Sequence, residues 1–187
     1  MVKKMKKKTK FNLEIVEEKS VDKALDKSIR ALLAECFPGD KNAFATTRCW
    51  HSAPEYLLVH RKGKEALGHV AIITREISCG RKKIRIAGIQ SLAVGKKGRG
   101  TGLSQALMTD SMTEAFRRGI EFGLLFCIPE LERFYATLGW KRIEEPVFMQ
   151  DEKGARAPLP SKNIGMYLLL SGKPFPAGAV DLRGRDW

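Results

Sequence analysis

Cysteine is scarce in this 187-residue chain and badly spaced for structural work, since no two of Cys36, Cys49, Cys79 and Cys127 fit a C-x2-4-C pattern. That removes the common structural zinc modules, and no metal is expected. No apolar run approaches the roughly 20 residues that span a bilayer, so nothing points to membrane insertion. The opening lysine run over 1–10 leads into a mixed segment without the apolar stretch of a secretory signal. Reduced thiols and a cytoplasmic location are therefore expected. Acidic residues are also few, 21 against 34 Lys and Arg, which gives a formal charge of +13. Six of the positive charges are lysines between positions 3 and 10, and without them +7 remains. Residues 1–10 read as a solvated, disordered basic tail. The remaining charge favours an anionic ligand and disfavours strongly cationic substrates unless acidic residues cluster locally. There is no internal repeat and no second hydrophobic core, so 11–187 is expected to be one domain.

Hydrophobic period divides that domain into elements. Residues 11–16 alternate as a first strand. Ser20 is placed to cap a helix in which Val21, Leu25, Ile29, Leu32, Leu33 and Cys36 recur at helical spacing, ended at Pro38. Residues 41–54 suit a short helix and a loop beside a pocket. Strands are predicted over 55–61, 67–77 and 83–94, the last two as a hairpin. A helix from Leu103 to Gly119, a strand over 121–128, a short helix over 130–138 and a last strand over 164–170 follow. Strand, helix and strand around 94–128 make a βαβ unit, so its two strands should be parallel. The expected class is α+β, a mixed and mostly antiparallel sheet flanked by helices.

The informative stretch, Ser91-Leu92-Ala93-Val94-Gly95-Lys96-Lys97-Gly98-Arg99-Gly100-Thr101-Gly102-Leu103-Ser104, lies between a strand and the first turn of a helix. Such a turn presents unpaired amides and the positive end of the helix dipole, a ready anion site. Three glycines in five residues let the main chain approach a ligand without Cβ atoms in the way. The pattern is neither a Walker A loop, because no lysine separates Gly100 from Thr101, nor a Rossmann fingerprint, because Leu103 stands where a glycine is needed.

Arg99-x-x-Gly102-x-Ser104 resembles the R/Q-x-x-G-x-G/A pyrophosphate motif of the GNAT acyltransferases, with Ser104 in place of the usual Gly or Ala. Arg133-Phe134-Tyr135-Ala136-Thr137-Leu138-Gly139-Trp140 is similar to a second segment of that family, in the expected order. Within the family the chain looks like the aminoglycoside 2′-N-acetyltransferases, through Tyr135 and the stretch from Asp181 to Trp187. It also resembles the rhizobial nodulation N-acyltransferases, through the strand at 89–92 and the Phe175-Pro176-x-Gly178 tail. The resemblance implies the GNAT fold and transfer of an acetyl group from acetyl-CoA to a primary amine, on a small molecule or a peptide, by direct attack. It implies that Leu92, Ala93 and Val94 receive the pantetheine arm through their backbone, and that Arg99, Gly100, Thr101, Gly102, Leu103 and Ser104 hold the pyrophosphate.

Tyr135 is the candidate general acid, since a phenol can protonate the departing thiolate; packed in the core it would be a structural tyrosine. The aminoglycoside enzymes carry a glutamate as base near the end of this strand, where Gln90 stands here; it can orient a water but not take a proton. The Trp187 carboxylate, Asp186 or a water chain are the remaining candidates, while His51 and His69 read as structural. Cys127 reads as a small buried hydrophobe. Asp40, Trp50 and Asp186 are expected to wall the acceptor pocket. Two other functions compete: a longer-chain N-acyltransferase drawing on acyl-CoA or an acidic acyl carrier protein, and a basic nucleic-acid-binding module. The second lacks a basic strand interleaved with aromatics or a helix-turn-helix. The sequence leaves the oligomeric state open, a homodimer included.

Overall fold

The computed structural model describes residues 10–187, so all but the last residue of the expected basic tail lies outside the described residues. The chain runs β1 (Leu13–Glu17), α1 (Lys23–Cys36), α2 (Lys41–Phe44), β2 (Tyr56–Lys62), β3 (Glu65–Cys79), β4 (Lys82–Val94) and α3 (Leu103–Arg117). It continues through β5 (Phe122–Cys127), α4 (Glu132–Ala136), β6 (Lys141–Arg142), β7 (Val147–Gln150), β8 (Arg156–Pro158), β9 (Ile164–Leu169) and β10 (Val180–Asp181).

Helix α1 forms because Leu25, Ile29, Leu32 and Leu33 make one apolar stripe, all buried. Its cap is Asp22, whose carboxylate accepts the Leu25 amide at 2.7 Å, and not Ser20. An ionised carboxylate at that place also meets the positive end of the helix dipole. Helix α3 buries Leu103, Leu107, Met108, Met112 and Ala115 on the opposite layer. It ends at Gly119, whose φ of +80° lets the Ile120 amide reach back to the Ala115 carbonyl at 3.0 Å.

One sheet joins all the strands. The order β1-β2-β3-β4-β5-β9-β6 runs across it, and the far end of β3 also pairs with β10, which continues to β7 and β8. Only β4 with β5 and β10 with β7 are parallel. The first of these is the predicted βαβ unit. The strands β6, β7, β8 and β10 lie in stretches to which the hydrophobic period assigns no element.

Alternation along the strands assigns the two faces. Tyr56, Leu58, Val70 and Ile72 pack under α3, whereas Leu57, Val59, Ala71 and Ala93 pack under α1. Gly68 sits directly beneath α3, where a Cβ would come within 2.7 Å of Leu103. Its missing side chain seats the start of α3 against the sheet. A third cluster, including Ile77, Ile86, Leu124, Val180 and Leu182, folds the C-terminal tail onto the α1 face. No helix among the described residues is long and apolar enough to cross a membrane.

Candidate active site

Strands β4 and β5 pair over three positions only, Ile86 with Phe122, Ala87 with Gly123 and Gly88 with Leu124. Beyond them β4 runs on to Val94 and β5 to Cys127 without pairing, so the two main chains part and a gap opens. The cause is local. Ala71 pairs with Gln90 and His69 with Ala93, which leaves one extra residue on β4. Ser91 takes a φ of +55° inside that bulge. A bulge bends its strand, and the β4 edge facing the gap has no partner strand from Ile89 onward. Peptide-like groups entering the gap would find that main chain available. Ala93 turns its own side chain into the α1 cluster, while Leu92 and Val94 are half-buried against the α3 cluster. The Val94 carbonyl is already taken, accepting from Arg99 Nε at 3.2 Å.

The turn after β4 uses its first amides internally. Gly95 donates to the Leu67 carbonyl at 3.0 Å, Lys96 to Glu35 Oε1 at 2.9 Å and Gly98 to the Gly95 carbonyl at 2.8 Å. Arg99 completes the set with the Lys96 carbonyl at 3.4 Å. From Gly100 to Gly102 the chain makes a turn, and none of the amides from Gly100 to Ser104 makes a main-chain hydrogen bond of ordinary length and angle outside the helix among the described residues. Gly100 (φ +71°) and Gly102 (φ +91°) are left-handed, and nothing lies within 4 Å of where their Cβ atoms would be. Gly102 is the N-cap of α3 and offers no side chain to the helix end. Thr101 Oγ1 donates to the Gly98 carbonyl at 2.6 Å and holds the turn closed. Such a turn at the positive end of a 15-residue helix has the geometry and charge that suit an anion.

Tyr135 stands on α4 beyond the end of β5, 7% exposed, with Phe134 and Trp140 edge-on at 5.0 and 6.3 Å between ring centres. Burial, and after it the nearby Cys127, push its hydroxyl well above the ordinary phenol value. It therefore remains a proton donor throughout the neutral range. Cys127 is itself pushed up to about 11 by burial, so it rests as a thiol and not as a nucleophilic thiolate.

The other side of the gap is polar. Gln90 is fully buried, with Nε2 donating to the Ser52 carbonyl at 3.2 Å and Oε1 without a protein partner. Trp187 lays its indole over Gly88, where a Cβ would be 2.6 Å away, and against Phe126 at 5.1 Å. Asp186 beside it meets His51 Nδ1 at 3.3 Å. Trp50 is half-exposed and packs edge-on against Phe44 at 4.9 Å. Asp40 lies exposed on the turn between α1 and α2, with no bond to this loop or tail among the described residues. So the structure brings Gln90, Asp186, Trp187 and the loop after Trp50 together, but not Asp40.

Two features escape sequence reasoning. Arg75 of β3 donates to Ser52 Oγ at 2.5 Å and to the Arg185 carbonyl at 2.6 Å, and lies 5.2 Å from the Trp187 ring. It knits loop and tail together, and a lone arginine in a strand gave no hint of that. The second is the bulge at Ser91. His69 is fully buried with neither ring nitrogen partnered, and burial, with Arg48 adding to it, drives its pKa down to about 3. It is neutral at working pH and a feeble base, in keeping with the structural role expected of it.

The family described as "Acetyltransferase (GNAT) domain" matches residues 17–143. No curated protein sequence matches the chain. Among solved structures, the GNAT family N-acetyltransferase YhbS of Escherichia coli, in complex with CoA, superposes with a TM-score of 0.62 at 16% identity, covering 92% of this chain and 90% of that one. E. coli ElaA gives 0.59 at 15% identity over 84% and 99% of the two chains. FeeM, an N-acyl amino acid synthase from uncultured soil microbes, gives 0.58 at 15% over 86% and 91%. At such identities the likeness is one of fold.

Proposed function

This chain belongs to the GNAT acetyltransferase family and is an acyltransferase, and on that premise we propose that it moves an acetyl group from acetyl-CoA to a primary amine by direct attack. The observation that carries the proposal is the open glycine turn before α3, whose amides from Gly100 to Ser104 make no ordinary main-chain hydrogen bond outside the helix among the described residues. These donors suit the diphosphate of CoA, and the β4 edge at Leu92, Ala93 and Val94, open apart from the Val94 carbonyl, suits the amide groups of its pantetheine arm. The reacting thioester would then fall in the gap between β4 and β5. In this reading Tyr135 donates a proton to the sulfur as the C–S bond breaks.

A longer acyl chain is the second reading. Ile128 and Leu131, just past β5, are 46% and 42% exposed, an unusual apolar pair beside the gap. The fold likeness to FeeM, titled an N-acyl amino acid synthase, supports the same idea. Calorimetry with CoA, acetyl-CoA and a long-chain acyl-CoA, on wild type and Gly102→Glu, tests both. Turnover with tyramine, cadaverine and a lysine-bearing peptide adds the acceptor. Wild type should bind CoA and transfer acetyl, and Gly102→Glu should bind neither thioester. Normal binding by that variant overturns the site, and faster transfer from the long-chain donor selects the second reading.

A further inference from the structure

We propose that His51, oriented by Asp186, is the general base that takes the proton from the acceptor ammonium, an inference that rests on the acyltransferase reading above. An alkylammonium is no nucleophile until deprotonated, and the residues facing the gap offer few acceptors. Gln90 cannot hold a proton. His69 is enclosed on every side under α1, and Cys127 lies on the Tyr135 side of the gap as a thiol.

His51 differs in its geometry. Its Nδ1 lies 3.3 Å from Asp186 Oδ1, and its side chain is 36% exposed. With Nδ1–H donating to the carboxylate, the imidazole is fixed as the tautomer whose Nε2 carries the free lone pair. Among the described residues Nε2 has no protein partner. An exposed ion pair of this kind would ordinarily mean little. Here both halves are anchored to the site. Ser52, next to His51, is held by Gln90 from β4 through its carbonyl and by Arg75 from β3 through its hydroxyl. Arg185, next to Asp186, gives its carbonyl to the same Arg75. Trp187 is wedged over Gly88, the last position where β4 and β5 still pair. One half-buried guanidinium thus sets the loop and the tail together at the closed end of the gap. The charged groups beside the imidazole are Asp186 from the tail and, behind it, Arg75 from β3.

The proton inventory closes. Nε2 of His51 takes a proton from the ammonium, and the freed lone pair forms the C–N bond at the thioester carbon. The C–S bond breaks, and Tyr135 gives its proton to the thiolate. The surplus proton on the new amide nitrogen returns to Tyr135, and His51 releases its own to solvent.

The test compares two acceptors in wild type, His51→Gln and Asp186→Asn. One is the alkylamine of the panel above that turns over fastest, and the other is hydroxylamine, already unprotonated at neutral pH. For a general base, loss is on the order of 10²-fold. His51→Gln should lose that much kcat/KM with the alkylamine, together with the rising limb of its pH profile, and keep most of its rate with hydroxylamine. Asp186→Asn should shift that limb. Equal loss with both acceptors, or an unchanged alkylamine rate, overturns the proposal. Imidazole 15N spectra decide the matter without turnover: His51 should be protonated at Nδ1 in wild type and lose that preference in Asp186→Asn. Protonation at Nε2 in wild type overturns it. Acetyl-CoA binding by calorimetry should be unaltered in His51→Gln, whereas wild type failing to bind would sink the acyltransferase reading itself.

Discussion

A phenol held protonated and an imidazole held neutral give this molecule two residues whose chemistry is set by burial. Burial against Phe134 and Trp140, and after it the nearby Cys127, raises the Tyr135 pKa and keeps the phenol protonated across the neutral range. Tyr135→Phe should lower kcat about 10²-fold, the usual size of a lost general acid, with CoA affinity nearly unchanged by calorimetry. A variant with unimpaired turnover would remove Tyr135 from the chemistry. His69 works on stability. Its pKa falls from 6.5 to about 3 on folding, so below pH 6.5 the unfolded chain binds a proton that the folded one refuses. Folding is then favoured above that pH and loses up to about 1.4 kcal/mol per unit as pH falls toward 3. Urea unfolding of His69→Leu between pH 4 and 6.5 should show a shallower pH slope than wild type. An identical slope would contradict the account. Tyr135 and the glycine turn could be singled out in the sequence because each lies in a run of neighbouring residues that marks it. The pairing of His51 with Asp186, 135 residues apart, had no local signature.

Elements with a full period of burial were readable, and those without one were not. Helices α1 and α3 and strands β2 to β5 each repeat their apolar residues often enough to be recognised, and their ends fell within two or three residues. The two-residue strands β6 and β10 have no period to read. They exist because β9, β3 and β7 present free edges to them. The cap of α1 moved from Ser20 to Asp22 because Glu18 to Ser20 wind into a turn of their own. At Gly88 the account makes a sharp demand, since a Cβ would lie 2.6 Å from the Trp187 indole and 2.7 Å from Ile73. Gly88→Ala should push the tail off β4, costing about 1–3 kcal/mol as overpacking does. Selective red-shifted emission from Trp187, read in a background lacking Trp50 and Trp140, would report the displacement. Unchanged emission and stability would mean the tail is not seated there.

At the scale of the whole molecule, a sheet with helices on both faces holds a gap open at its centre, and the chain carries a formal charge of +13. A polyanion such as CoA is drawn to such a field, and salt screens the attraction over about 10 Å at 0.1 M. CoA affinity should therefore fall several-fold between 50 and 500 mM salt. A salt-independent affinity would mean that the charge plays no part in binding. The central claim is narrower and can be read directly, by following backbone amide 15N–1H shifts as CoA is titrated into the protein. The account predicts the largest shifts at Gly100, Thr101, Gly102, Leu103 and Ser104, with smaller ones along Leu92 to Val94. Saturable binding that left those five amides in place would contradict it.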